Sequence, residues 1–176
     1  MPILCFVFDL DDVLLQTTSI FASPTVIHTI RSTPDIVQAY KQCISPDPEL
    51  YRKLQLLRGP KFILTNASRA HAYASIQALH LQPFFVGQLD ADSGIQLKPA
   101  SDAYVHMQHI INQQIPTTDK LLIFFDDRVE NLIVPHQMGW VTVWIEPRSV
   151  PLTKPDHVSF AFANVNDAIS FFIGVQ

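Results

Sequence analysis

Short apolar runs recur along this chain at intervals that leave room for a helix between them. Residues 3–8 (ILCFVF) are rich in Ile, Val and Phe and do not alternate with polar residues, the pattern of a strand covered on both faces. Runs of the same kind lie at 61–65 (KFILT), 120–125 (KLLIFF) and 140–145 (WVTVWI). Helical spacing fills the gaps. It spans 68–81 with Ser68 as N-cap, 99–114 with Pro99 at its start, and 129–138 up to Gly139, where Pro135 predicts a kinked or shortened helix. Residues 157–162 and 166–173 predict an edge strand and a closing helix.

Strands separated by helices of this length require right-handed crossovers, and so predict a mostly parallel sheet with helices on both faces. The expected class is α/β, doubly wound and Rossmann-like. Residues 16–59 break the alternation. They hold no strand pattern, carry prolines at 24, 34, 46 and 48, and predict two helices, at 35–43 and 47–57. The expected division is a core of residues 1–15 and 60–176 with a small helical cap at 16–59. No internal repeat or low-complexity tract is present.

Composition narrows the function classes. Twelve Lys and Arg against 16 Asp and Glu give a net charge of −4, and no basic cluster would suit a nucleic-acid backbone. No apolar run approaches the length of a bilayer span, and no charged leader precedes the first strand pattern, so a soluble, cytoplasmic protein is expected. Cys5 and Cys43 lie far apart and read as two small hydrophobes rather than a zinc or redox pair. The sequence gives no indication of oligomeric state.

Ligands of open α/β sheets bind at the carboxyl ends of the strands. The first strand pattern delivers Asp9, Asp11 and Asp12 there, the second Thr65 and Asn66, and the run at 120–125 delivers Asp126 and Asp127; Lys98 and Pro99 precede a helix. Carboxylates gathered at one site raise one another's pKa unless a positive charge compensates them. Oxygen donors without a matching His or Cys set favour a hard ion, Mg²⁺ rather than Ca²⁺ when few protein ligands are on offer.

The order Asp9-Leu-Asp11, Thr65-Asn66, Lys98-Pro99, Asp126-Asp127 resembles the four motifs of the haloacid dehalogenase-like (HAD) hydrolase superfamily, phosphatase type, with a small helical cap after the first strand. Four motifs in order carry far more information than any one alone. The resemblance implies that Asp9 attacks phosphorus to form an aspartyl-phosphate and also binds metal. Asp11 would protonate the leaving oxygen and later activate water, with its backbone carbonyl on the metal. Thr65, Asn66 and Lys98 would hold the phosphoryl oxygens, and Asp126 and Asp127 would bind Mg²⁺ directly or through water. The expected substrate is a small phosphorylated metabolite. The runs "TNASRAHA" and "FFDDRVEN" also resemble the branch that contains pyrimidine 5′-nucleotidases, which makes a nucleotide one candidate.

Three other readings compete. A 2-haloacid dehalogenase uses the same nucleophilic aspartate on carbon, but needs neither Mg²⁺ nor a second acid/base carboxylate. A response-regulator receiver places its acidic pair before the acceptor aspartate, the reverse of the order here. A catalytically weak interaction protein on the same fold is the third. Asp12 reads as a turn residue, and Arg69 and Arg128 as surface arginines. His71, His80, His106, His109 and His136 read as ordinary residues of helical patterns, and Trp140 and Trp144 as packing beside their strand.

Overall fold

The computed structural model describes residues 2–146 and 154–176. Six parallel strands form one sheet: β1 (Ile3–Phe8), β2 (Lys61–Leu64), β3 (Phe85–Leu89), β4 (Lys120–Asp126), β5 (Val141–Ile145) and β6 (Phe160–Phe162). Their order across the sheet is β3-β2-β1-β4-β5-β6. The chain therefore winds outward from β1 on one side and from β4 on the other, which makes the β1/β4 junction the switch point where ligands of such sheets bind.

Alternation along the strands divides the core in two. Phe6 and Phe8 of β1, with Ile123 and Phe125 of β4, point to one face; Cys5 and Val7, with Leu122 and Phe124, point to the other. Phe8 and Phe125, paired in register, stack at 4.5 Å between ring centroids. The second face is covered by α6 (Ser101–Gln114) through Ala103, Tyr104, Met107 and Ile111. α5 (Arg69–Ala78) and α8 (Val165–Gly174) cover the first.

Between β1 and β2 lie α1 (Thr17–Phe21), α2 (Pro24–Ser32), α3 (Ile36–Cys43) and α4 (Pro48–Leu56). Asp35 and Asp47 cap the last two, each accepting two backbone N–H groups of the first turn. Ala39 and Tyr40 of α3 and Leu50 and Leu54 of α4 join the first core cluster, so this helical insertion packs on the same face as α5 and α8. The link from α4 into β2 turns at Gly59, whose φ is +112°; a Cβ there would fall 2.2 Å from the Leu4 carbonyl oxygen.

Departures from the sequence expectations are local. β3 was not anticipated, nor were α1 and α2. The helix expected from Pro99 starts at Ser101, after a cis Lys98–Pro99 bond. Residues 129–138 form a 3-10 turn (Val129–Leu132) followed by the short α7 (Ile133–Gln137), as Pro135 implied. Only Phe160–Phe162 of the expected edge strand pairs with β5.

Candidate active site

The site forms where β1 and β4 end side by side. Phe8 pairs with Phe125, and the Asp9 N–H donates to the Phe125 carbonyl (2.8 Å), which sets Asp9 beside Asp126. Beyond Asp9 the chain folds back on itself, with the N–H groups of Leu14 and Leu15 donating to the Leu10 carbonyl at 3.0 Å. Leu10, Val13, Leu14 and Leu15 are buried in the first core cluster. Their burial pulls alternate parts of this turn inward and leaves Asp11 and Asp12 at its rim. Asp12 has a φ of +56°, a conformation Asp tolerates, and its carboxylate accepts from the Thr18 N–H (2.8 Å) and hydroxyl (2.5 Å). It thus acts as the turn residue expected from the sequence, tying β1 to the start of α1.

Lys98 is the cation at the centre. Its Nζ lies 2.7 Å from Asp126 Oδ2 and 2.9 Å from Asp9 Oδ1, and all three side chains are buried. Burial opposes the Lys98 charge, but Asp126 and then Asp9 overcome it and hold the ammonium above its usual pKa. Lys98 is fixed from β2: the Asn66 side chain donates to its carbonyl (2.9 Å) and accepts from its N–H (3.0 Å). Thr65 Oγ1 accepts the Ala67 N–H at 3.1 Å.

Asp126 is fully buried, and its Oδ1 accepts from the Arg128 N–H and from Asn131 Nδ2, both at 2.9 Å. Asn131, within the "FFDDRVEN" run, thus orders the site although the sequence alone assigns it no role. Asp9 is held by one oxygen only. Its Oδ1 takes the Leu10 N–H (2.7 Å) and Lys98, while no protein group among the described residues bonds Oδ2. Burial pushes the Asp9 carboxyl up; Lys98 opposes that shift and Asp126 adds to it. Asp127, half-buried, is pushed up to about 6 by burial and by the charges of Asp126 and Asp12. One carboxylate oxygen from each of Asp9, Asp126 and Asp127 lies within 4.8 Å of the others. Three such oxygens, short of positive charge, fit a hard divalent cation.

Asp11 stands opposite this trio. Its Oδ1 accepts from Thr17 Oγ1 (2.5 Å) and faces His71 Nε2 at 2.8 Å. Burial alone would raise the Asp11 carboxyl, but these contacts outweigh it and hold the pKa below the usual carboxylate value. An open cavity of about 270 Å³ brings the set together, bounded by Asp9, Asp11, Thr65, Asn66, Lys98 and Asp127 among others. Of the site residues anticipated from the sequence, all but Asp126 line this cavity, and Asp126 lies buried against Lys98. His71 reads from the sequence as an ordinary helical residue; its position in the first turn of α5, five residues after Asn66, is the available signal. Arg69 and Arg128 are exposed and paired with Asp90 and Glu130 respectively. Trp144 donates its indole N–H to the Asp127 carbonyl.

No protein-family model matches this sequence, and no curated protein matches it either. Solved structures do. The L-2-haloacid dehalogenase RSc1362 is 18% identical, with 98% of this chain and 99% of that one aligned at a TM-score of 0.72. The L-2-haloacid dehalogenase of Xanthobacter autotrophicus is 15% identical over 99% and 100% of the two chains, at 0.70. YfnB from Bacillus subtilis, solved bound to magnesium, is 13% identical over 98% and 99%, at 0.61. The fold is that of the haloacid dehalogenase-like hydrolases. Among the described residues no helix is long and apolar enough to cross a membrane.

Proposed function

We propose that this protein is a Mg²⁺-dependent phosphatase of the cytoplasm that hydrolyses a small phosphomonoester through an aspartyl-phosphate, with residues 16–59 as a cap beside a core of 1–15 and 60–176. The observation that carries this reading is the gathering of Asp9, Asp126 and Asp127 within 4.8 Å beside a separate, hydrogen-bonded Asp11. Mg²⁺ bound by Asp9, Asp126 and Asp127, with the Asp11 carbonyl, would neutralise charge on the phosphoryl oxygens.

The protein's own groups supply the rest. Asp9 Oδ2, without a protein partner among the described residues, attacks phosphorus as the ester P–O bond breaks, and Asp11, once protonated on Oδ2, gives that proton to the leaving oxygen. Water then attacks the aspartyl-phosphate, returns a proton to Asp11 and frees Asp9. The Thr65 hydroxyl and the Lys98 ammonium hold the phosphoryl oxygens, where charge builds most in the transition state. The Asn66 side chain is engaged on Lys98, so its phosphoryl contact comes from its main-chain N–H. Nucleotides and sugar phosphates are the substrates to try first, nucleotides because of the "TNASRAHA" and "FFDDRVEN" runs.

A second reading has specific support: two of the similar structures are L-2-haloacid dehalogenases. In that chemistry Asp9 Oδ2 would attack the halogen-bearing carbon and release halide, with no need for the metal trio. One experiment separates the two. Purified protein is offered a panel of phosphomonoesters and, in parallel, 2-chloropropionate, each with Mg²⁺ and with excess chelator. Phosphate release that requires Mg²⁺ and disappears in Asp9→Asn is expected. Chloride release that survives chelation, with no ester turned over, would replace the phosphatase reading by the dehalogenase one.

A further inference from the structure

Asp11 is the end of a hydrogen-bonded chain that runs away from the cavity. His71 Nε2 meets Asp11 Oδ1 at 2.8 Å, and His71 Nδ1 meets the Tyr40 hydroxyl at 2.6 Å. An ionised carboxylate can only accept, so Nε2–H donates to Asp11, and Nδ1 is engaged by the Tyr40 hydroxyl. Both ring nitrogens are thereby held, and the imidazole cannot rotate without losing both hydrogen bonds.

The chain is enclosed. Tyr40 is 5% exposed, and Phe21 lies against both rings, at 5.5 Å from Tyr40 and 5.9 Å from His71 between centroids. Thr17, four residues before Phe21 in α1, adds the second donor on Asp11 Oδ1. Both donors converge on this one oxygen, while no protein group among the described residues bonds Oδ2. Thr17, Phe21 and Tyr40 all belong to the helical insertion, yet no residue of its four helices lines the cavity. The insertion touches the site through Thr17 on Asp11 and through Tyr40 on His71.

We infer that His71 and Tyr40 are positioning residues for the acid/base step: they hold Asp11 by Oδ1 so that Oδ2 is the oxygen that exchanges the proton with the leaving group. This inference rests on the phosphatase reading above. Its consequence is selective. A misaligned acid matters most when the leaving oxygen is a poor leaving group that must be protonated as the P–O bond breaks, and least when it departs as a stable phenolate.

The test compares kcat/KM, which reports the steps up to cleavage of the ester bond, for an alkyl phosphate and for p-nitrophenyl phosphate. The proteins are the parent, Tyr40→Phe, which keeps the ring packing, and His71→Gln, which retains an N–H donor but cannot relay to Tyr40. General acid catalysis contributes typically ~10²–10⁴-fold, so both variants are expected to lose roughly tenfold more kcat/KM on the alkyl than on the aryl ester. Thermal unfolding shows whether each variant is folded, and the ratio between the two esters is unaffected by the fraction of protein that is active. An unchanged ratio in both variants, with the parent active on both esters, would overturn the inference and leave the phosphatase reading standing. A parent that hydrolyses neither of these esters nor any member of the phosphomonoester panel would overturn both.

Discussion

Lys98 Nζ lies 2.7 Å from Asp126 Oδ2, with the side chains 1% and 0% exposed. A pair this deep cannot exchange its partner for water. Breaking a buried pair from one side leaves an uncompensated charge and costs ~3–5 kcal/mol, whereas replacing both partners can be close to neutral. Lys98→Met should therefore be strongly destabilised in chemical denaturation, because Asp9 and Asp126 lose their shared cation together. Adding Asp126→Asn to Lys98→Met should recover part of that loss. A double-mutant cycle with no coupling between positions 98 and 126 would contradict this account of the centre.

Asn66 is the device that places Lys98. Its amide spans from β2 to the main chain of Lys98 with one donated and one accepted hydrogen bond. Asn66→Ala removes both, at about 1 kcal/mol net each, so stability should fall by roughly 2 kcal/mol. Asn66→Asp keeps the acceptor and loses the donor, and should fall between parent and Ala. Equilibrium unfolding of the three proteins ranks them, and the same order is expected for phosphate release.

How much of this could be read from the chain depends on the range of the interaction. β1, β2 and β4 are legible because burial on both faces writes an uninterrupted apolar run, and the acidic or polar residues that follow mark where each run ends. β3 is an edge strand of FVGQL whose Gly87 is needed because a Cβ would meet Phe62 at 2.9 Å; a small residue set by a neighbouring strand looks locally like a strand breaker. α1 is only five residues long and five of the nine residues of α2 are β-branched, so the local sequence favours no helix there and long-range packing decides. His71 was passed over for the same physical reason. Its partners Asp11 and Tyr40 are 60 and 31 residues away, and no local period encodes such a contact.

Asp90 follows β3 and accepts from Arg69 Nε, Gln88 Nε2 and the Asp92 N–H. Burial would raise its pKa, but the hydrogen bonds from Gln88 and Arg69 and the Arg69 charge prevail, and the folded-state value lies below 3.8. A carboxyl depressed on folding adds stability above its unfolded pKa and loses it as pH falls through the folded value. Asp90→Asn should therefore be less stable than the parent at neutral pH, and the gap should narrow below about pH 4. Urea unfolding of both proteins at pH 7 and pH 3 measures it; a gap that stays constant would show that the charge is not what Asp90 contributes.

Asp127 presents the opposite case. Burial and the neighbouring charges of Asp126 and Asp12 raise it to about 6, so without metal its ionised form is a liability to the fold. An acid raised on folding opposes stability increasingly as pH climbs from its unfolded value to its folded one, and fully above that. At pH 7.5 without metal, Asp127→Asn should melt higher than the parent. A divalent cation reverses the sign, because the uncompensated charge of the carboxylates is what attracts the ion. Mg²⁺ should then raise the melting temperature of the parent more than that of Asp127→Asn, and calorimetric titration should show affinity weakened roughly tenfold or more in the variant. If Asp127→Asn is no more stable without metal and binds Mg²⁺ as the parent does, Asp127 is not a ligand, and the centre reduces to Asp9 and Asp126 around Lys98.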